Sequence, residues 1–265
     1  METNHSDQIA VRVLVRARDD IQALRIRMDN RIGRKADHKQ QDVEKRIFRP
    51  GDSEIFAAMA DHFREQELSI EKNLKKFLKR FPIYTEWLQG IRGVGPILAG
   101  WIVAEYDIHK ATTASKLIQF TGLNSGQVRA QKRVEHDDGK FELVPVDTMV
   151  RGDKLTPGFV APFNRRLRTA IVGVGADGFI KAQNHYCLEF YYPYKERLEN
   201  SSKVVMHLGK SVPWKDVNKG HRDRAAKRFM MKHFLQDLYV AWRQIEGLPI
   251  RAPYQEEYLG HKHAI

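Results

Sequence analysis

The chain has a single cysteine, Cys187, and no long apolar run among its 265 residues. One cysteine excludes an internal disulfide and any multi-cysteine zinc site, and a lone cysteine in an aromatic stretch is most often buried packing. No segment reaches the ~18 consecutive apolar residues of a membrane-spanning helix, and the N-terminus lacks the apolar core of a signal peptide. These absences predict a cytoplasmic protein with no membrane partner.

Acidic residues are also scarce relative to basic ones. Lys and Arg number 45 against 33 Asp and Glu, which gives a net charge of +12 and a pI near 9.7. Such an excess favours a polyanionic partner, and nucleic acid is the first candidate. Because 42% of the residues are apolar and 10% aromatic, the chain is expected to fold around a core.

Two long helices are predicted before residue 84, forming a basic helical hairpin. The first, over residues 7–32, carries a narrow apolar seam at Leu14, Ala17, Ile21, Leu24, Met28 and Ile32. That seam fits a coiled coil, which would make a homo-oligomer, and equally a helix lying on its own domain. A break at Pro50-Gly51 precedes the second helix, with Asp52 or Ser53 as its cap. The basic excess over residues 12–49 either follows a phosphate backbone or forms a solvated face.

A glycine turn then separates two helices. Pro96 stands where the first position of a helix tolerates it, directly after Gly93-Val94-Gly95. Such a turn directs unpaired N–H groups outward, and with the helix dipole behind them they can bind a phosphate oxygen, although the same pattern serves as an ordinary packing corner. The candidate phosphate-binding residues are Arg92, Gly93, Val94, Gly95 and Pro96.

The fold class predicted is mainly α: the helical hairpin (1–84), a helix-hairpin-helix domain (85–247) with a small β-hairpin insertion over about 127–150, and an irregular tail (248–265). The β-hairpin turns at Asp137-Asp138-Gly139. The last long helix covers roughly 222–246, with Asp223 as a cap. Its basic residues are expected to point largely outward: Arg224, Lys227, Arg228, Lys232 and Arg243. The Gly-x-Gly-x-x-Gly match at residues 173–178 is predicted to be helical and therefore not a dinucleotide site.

Three stretches carry a resemblance: Gly90-Ile91-Arg92-Gly93-Val94-Gly95-Pro96, Phe120-Thr121-Gly122-Leu123 and Ser125-Gly126. They are similar to the C-terminal domain of the DEDD-type insertion-sequence transposases, in which basic residues and a helix follow, here at Asn164-Arg165-Arg166-Leu167-Arg168. The resemblance covers about residues 85–245. Its hairpin half is shared with repair nucleases, glycosylases and ligase subunits, and the Gly-Leu and Ser-Gly loop makes it more specific.

The resemblance implies DNA transposition by a two-part recombinase of a bacterial or phage mobile element. In that family an RuvC-like domain holds metal, and a serine attacks a DNA phosphate, with a guide RNA in some members. Ser125 takes the position of that serine. The RuvC-like half is missing, because residues 1–84 predict helices without acid-bearing strands. No cofactor is identified in the chain itself, and Mg²⁺ would come through a separate RuvC-like partner.

The sequence is consistent with three functions. The chain is a recombinase acting through Ser125, a non-catalytic or architectural DNA-binding protein, or an RNA-binding partner that stacks bases on Tyr191, Tyr192 and Tyr194. Binding is expected to depend on the phosphate backbone, with little base readout, near the nucleoid. Beyond the glycine turn, the candidate DNA-contacting residues are Lys132, Arg133, Arg165, Arg166, Arg168, Arg224, Lys227 and Arg228.

Overall fold

The computed structural model describes residues 5–32, 52–136, 139–207 and 209–251, and it is mainly helical with small antiparallel β-hairpins. The α-helices are α1 (His5–Arg31), α2 (Asp52–Leu78), α3 (Pro96–Glu105), α4 (Ala114–Phe120), α5 (Arg165–Arg168), α6 (Ala176–Ala182), α7 (Tyr192–Asn200) and α8 (Lys219–Ile245). The strands are β1 (Gln127–Glu135), β2 (Phe141–Arg151), β3 (Val204–His207) and β4 (Lys210–Pro213). Wider π-helical turns cover Ile83–Trp87, Thr169–Gly175 and Cys187–Tyr191, and 3₁₀ turns cover Leu88–Gly90 and Trp214–Asp216.

Several predicted features lie outside the described residues: the break at Pro50-Gly51, the turn residues Asp137 and Asp138, and the tail from residue 252. The Gly-x-Gly-x-x-Gly stretch is helical, as predicted. The pair β3–β4 was not predicted from sequence. In the part of the chain that the structure describes, no helix has the length and apolar character needed to cross a membrane.

One hydrophobic core runs from α1 to α8 and is centred on Phe234. Phe179 and Tyr186 meet this ring edge-on, with centroids 5.1 and 5.6 Å away, and Trp87 stacks on it at 5.7 Å. Aromatic pairs in these geometries add stability beyond the apolar area that they bury. Cys187 lies fully buried in the same core, as predicted.

Helices α1 and α2 pair antiparallel, and the line along which α1 packs differs from the predicted seam. Val11 and Val15 are fully buried. Arg18 and Arg25 face α2 and pair with its carboxylates, whereas Leu24 is exposed. Of the predicted seam residues, Leu14 packs against the core. The side of α1 that faces α2 also carries cations, because α2 presents carboxylates to it: Arg18 Nε lies 3.2 Å from Glu71 and Arg25 pairs with Glu67. The contacts of α1 with α2 and α3 match a helix lying on its own domain.

The first cations of α1 are engaged inside the molecule. Arg12 donates to the carbonyl of Ala104, and Arg16 lies 3.0 Å from the Glu105 carboxylate at the end of α3, where the helix dipole favours positive charge. Glu105 also accepts a hydrogen bond of 2.7 Å from Asn164, which caps α5 through Leu167 N. These two arginines are therefore partly engaged by contacts inside the protein. They fix α1, α3 and α5 together.

Helix α8 begins earlier than predicted and holds one cation inside. Its cap is Asn218, whose Oδ1 accepts from His221 N at 2.8 Å, and not Asp223. Arg243 was expected to point outward, but it is only 6% exposed. Its guanidinium donates to the carbonyls of Ile108, Ala111 and Pro249 at 3.0, 3.1 and 2.6 Å, because a loop closes over this face of the helix end.

Strands β1 and β2 form an exposed ribbon, called the arm below, which confirms the predicted hairpin. The strands pair from Gln127 opposite Arg151 to Glu135 opposite Phe141, with a register shift between Arg129 and Gln131. Both faces of the outer part are exposed, and buried residues occur only near its base, at Ala130 and Val150. The arm therefore stands out from the helical body.

Candidate nucleic-acid interface

Two half-buried cations of α8, Arg228 and Lys232, lie one helical turn apart, and Arg168 of α5 lies close enough to repel Arg228. These three residues are called the cation cluster. Burial, and then the positive charge of Arg168, lowers the pKa of Arg228. Burial and the charge of Arg228 lower the pKa of Lys232 in the same way. The cation cluster therefore holds positive charges close together although they repel one another.

The cluster has little compensation from acidic groups. Asp153 is the carboxylate that acts on both Arg228 and Lys232. However, Asp153 is already bound by Arg151 through two hydrogen bonds of 2.9 Å. Within the described ranges, no hydrogen bond or ion pair holds the side chains of Arg228 and Lys232. A site of this kind is suited to an incoming anion such as a phosphate.

The loop that carries Ser125 joins the same region through backbone contacts. Asn124 Oδ1 accepts from Gly126 N at 2.9 Å, and Gly126 O accepts from Gly152 N at 2.9 Å. A Cβ on Gly152 would lie 3.0 Å from Asn124 O, so the close approach of the two backbone segments favours glycine at this position. The next residue, Asp153, accepts a hydrogen bond of 2.6 Å from Arg168 through its carbonyl oxygen. Ser125 is thus connected to Arg168 of the cation cluster through the backbone of Gly126, Gly152 and Asp153.

Ser125 itself is exposed, and its hydroxyl has no hydrogen-bond partner among the residues that the structure describes. A serine nucleophile needs a base or a metal to accept its proton. Over residues 5–32, 52–136, 139–207 and 209–251, no group of three His, Cys, Asp or Glu side chains is placed to hold a metal ion. Hydrogen bonds of its loop therefore connect Ser125 with Arg168, and among the described residues no base is hydrogen-bonded to the Ser125 hydroxyl.

The glycine turn packs against the body through its backbone. Gly93 has φ +94°, and a Cβ there would lie 2.9 Å from the carbonyl oxygen of Gly178. The buried amide of Asn184 donates to Arg92 O at 2.9 Å and fixes the turn from the other side. Gly95 is the N-cap of α3 and is exposed, with open space around the position of a Cβ. Packing against Gly178 therefore requires glycine at position 93, whereas Gly95 leaves the first turn of α3 accessible.

Several of the remaining predicted DNA-contacting residues lie in two other parts of the protein, a cleft and the arm. Arg165 and Arg166 line a cleft with the first turn of α3, and Arg168 is not among its lining residues. Lys132 and Arg133 are exposed on the arm, with Arg133 stacked 3.2 Å over the ring of Phe141. Their charges stay accessible, so the arm is a second basic surface.

Lys227 and Arg224 differ in whether their positive charges are accessible to an anion. Lys227 was expected to point outward, yet its ammonium lies 2.8 Å from Asp177 and 3.1 Å from Asp223. Burial opposes this charge, but the hydrogen bonds to the two carboxylates raise its pKa overall. Arg224 is exposed at the rim of the cation cluster and adds to the positive field at Arg228.

Sequence reasoning missed Lys232 as a site residue. The signal was present, because residues 224, 228 and 232 recur every four positions and so lie along one face of α8. Of the tyrosines expected to stack nucleic-acid bases, Tyr191 is buried and its hydroxyl donates to Asp223, and the ring of Tyr194 stacks on Phe229 with centroids 4.1 Å apart. A scan of protein-family models finds no match to this chain, and a search of the curated proteins finds none either.

Proposed function

We propose that this protein binds the phosphate backbone of DNA at the cation cluster, as a transposase-like protein of a mobile element. The observation that carries the proposal is the pair Arg228 and Lys232, which is half-buried and makes no ion pair or hydrogen bond through its side chains in the described part of the chain. Gathering like charges costs free energy, and a bound phosphate would offset it through charge-assisted hydrogen bonds. Phosphate contacts of this kind position a duplex and carry little sequence information.

The link to DNA recombination depends on the position of Ser125. Its loop is fixed beside Asp153 and, through it, beside Arg168. In the reaction, the serine oxygen would form a bond to phosphorus, a deoxyribose oxygen would leave, and the serine proton would pass to a base. Cations at this place would offset the charge that develops on the attacked phosphate. We also interpret the turn before α3 as the hairpin of a helix-hairpin-helix unit, with the first-turn amides as a further phosphate contact.

The first test compares binding of labelled duplex DNA, single-stranded DNA and RNA by fluorescence anisotropy over a series of salt concentrations. We expect duplex DNA to bind with a logarithmic affinity that falls linearly with the logarithm of salt concentration, because each phosphate contact releases a counterion. Equal affinity for duplexes of unrelated sequence would agree with backbone contacts. A preference for unpaired RNA would favour the RNA-binding alternative, and absence of DNA binding at low salt would contradict the proposal.

A second test separates a recombinase from a non-catalytic DNA-binding protein. The chain and its Ser125→Ala variant are incubated with Mg²⁺ and labelled DNA spanning the ends of the element, and then run on a denaturing gel. We expect salt-sensitive binding and no covalent adduct from the chain alone, because among the described residues no base is hydrogen-bonded to the Ser125 hydroxyl. An adduct that is absent in Ser125→Ala would show instead that the short chain is sufficient for the chemistry. Equal binding by both proteins controls for folding.

A further inference from the structure

A cleft of about 630 Å³ opens between α1 and the start of α3, and α5 with the π-helical turn after it closes the other side. Its volume lies in the range of pockets that enclose a small ligand. Three nearly fully buried side chains form an apolar floor: Leu98, Trp101 and Ala170. Val174 lies at the rim and is 57% exposed. The cleft can therefore accept a flat apolar group and still be reached from solvent.

Positive charge borders one side of the cleft. Arg165 and Arg166 are exposed, and neither side chain makes an ion pair or hydrogen bond with another described residue. Their backbone is held in place because Asn164 caps α5 and is itself bound to Glu105. Ile97 and Leu98, whose amides have no partner within α3, line the same side. This side of the cleft is suited to an anionic group.

The opposite wall, on α1, offers a hydrogen-bond donor and an acceptor. Arg18 donates to Gln22 Oε1 at 2.7 Å, which leaves the Gln22 amide group to donate into the cleft. The charge of Arg18 is itself taken up by the ion pairs of 3.2 and 3.6 Å with carboxylates of α2. Asp19 supplies a carboxylate on the same wall, 3.7 Å from Arg18. Donor and acceptor together match the polar edge of a heterocycle.

We propose that this cleft binds one nucleotide unit, with the base on the apolar floor, its polar edge against Gln22 and Asp19, and the phosphate at Arg165 and Arg166. Each nucleobase has a flat face for apolar contact and both donors and acceptors on its edge. The nucleotide is either a free nucleoside monophosphate or a single nucleotide turned out of a bound strand, since both present the same chemistry. The cleft is lined by other residues than the cation cluster, so the inference goes beyond the proposed DNA binding and does not depend on it.

The first measurement is titration calorimetry of the whole chain with the common nucleoside 5′-monophosphates, with ribose 5-phosphate and inorganic phosphate as controls. We expect at least one mononucleotide to bind about tenfold more tightly than ribose 5-phosphate. Val174→Trp, which fills the mouth of the cleft, and Arg166→Ala should each weaken this binding about tenfold or more. Leu188→Trp adds the same bulk at a residue that is 54% exposed and does not line the cleft, and it should leave binding unchanged.

The second measurement distinguishes the two sources of the nucleotide. A single strand containing 2-aminopurine reports unstacking of that base by a change in fluorescence on binding. A change that Val174→Trp abolishes, without mononucleotide binding, assigns the cleft to a nucleotide of a strand. Mononucleotide binding without that change assigns it to free nucleotide. Neither effect, or phosphate binding as tightly as every mononucleotide, would overturn the inference. Duplex binding in the same variants reports separately on the cation cluster.

Discussion

Replacing Arg228 and Lys232 together by glutamine should weaken duplex DNA binding roughly a hundredfold, because two charge-assisted phosphate contacts of about 1.5 kcal/mol each are lost. The slope of logarithmic affinity against logarithmic salt concentration should become shallower by about 1.8, since each contact accounts for about 0.9. Fluorescence anisotropy at several salt concentrations measures both quantities. The loss should be similar for duplexes of different sequence.

The control for this variant is Lys227→Gln, which removes one positive charge from the same helix, half the charge change of the double variant. Lys227 is held by Asp177 and Asp223, so its loss should leave affinity and salt slope nearly unchanged. The double variant should also remain folded, because it removes cations whose charged state burial and mutual repulsion disfavour. If Lys227→Gln lowers DNA affinity as much as the double variant does, the cluster is not a specific contact and net charge alone explains binding.

Replacing Gly93 by alanine should lower the free energy of unfolding by about 2–3 kcal/mol. A backbone φ of +94° is strained for any residue with a side chain, and the added Cβ would meet the carbonyl oxygen of Gly178 at 2.9 Å. Thermal or urea unfolding followed by circular dichroism measures the loss. The sign follows from packing alone and requires no ligand.

Gly95→Ala is the matched comparison, because Gly95 has φ −88° and nothing within 4 Å of the position of a Cβ. Its loss of stability should stay below about 1 kcal/mol, because alanine is less favourable than glycine at an N-cap but meets no clash here. If the first turn of α3 contacts phosphate, Gly95→Ala should weaken DNA binding while Gly93→Ala mainly lowers stability. Equal destabilisation by both variants would contradict the packing role assigned to Gly93.

The sequence predicts elements well where a periodic pattern is visible and side-chain roles poorly where distant segments meet. The alternation before and after Gly139 correctly predicts the arm, and the spacing of apolar residues predicts α1, α2 and α8. The burial of Arg243 depends on three carbonyls brought by other segments, so its own helix gives no sign of it. The ion pairs of Arg18 and Arg25 likewise depend on carboxylates of α2, which the sequence of α1 does not show.

For the candidate site, too, the sequence predicts positions along a helix but not the partners of each side chain. Residues 224, 228 and 232 can be placed on one face from spacing alone. Only the structure separates Lys232, which makes no ion pair with a described carboxylate, from Lys227, which makes two. The Gly93 turn was recognisable as a turn, whereas its contact with Gly178 joins residues far apart in sequence. Ser125 was selected by resemblance, and its connection to Arg168 passes through Gly126, Gly152 and Asp153.

The most direct test of phosphate binding at the cation cluster is the pKa of the Lys232 ammonium, measured by NMR on isotopically labelled lysines without and with duplex DNA. In the free protein, burial and the charge of Arg228 lower this pKa. A phosphate beside it favours the charged form, so DNA should raise the pKa, and by linkage affinity should fall as pH rises through the pKa of the free protein. The Lys227 signal is the internal reference and should not move. A Lys232 pKa that is unchanged while DNA is bound would contradict the account.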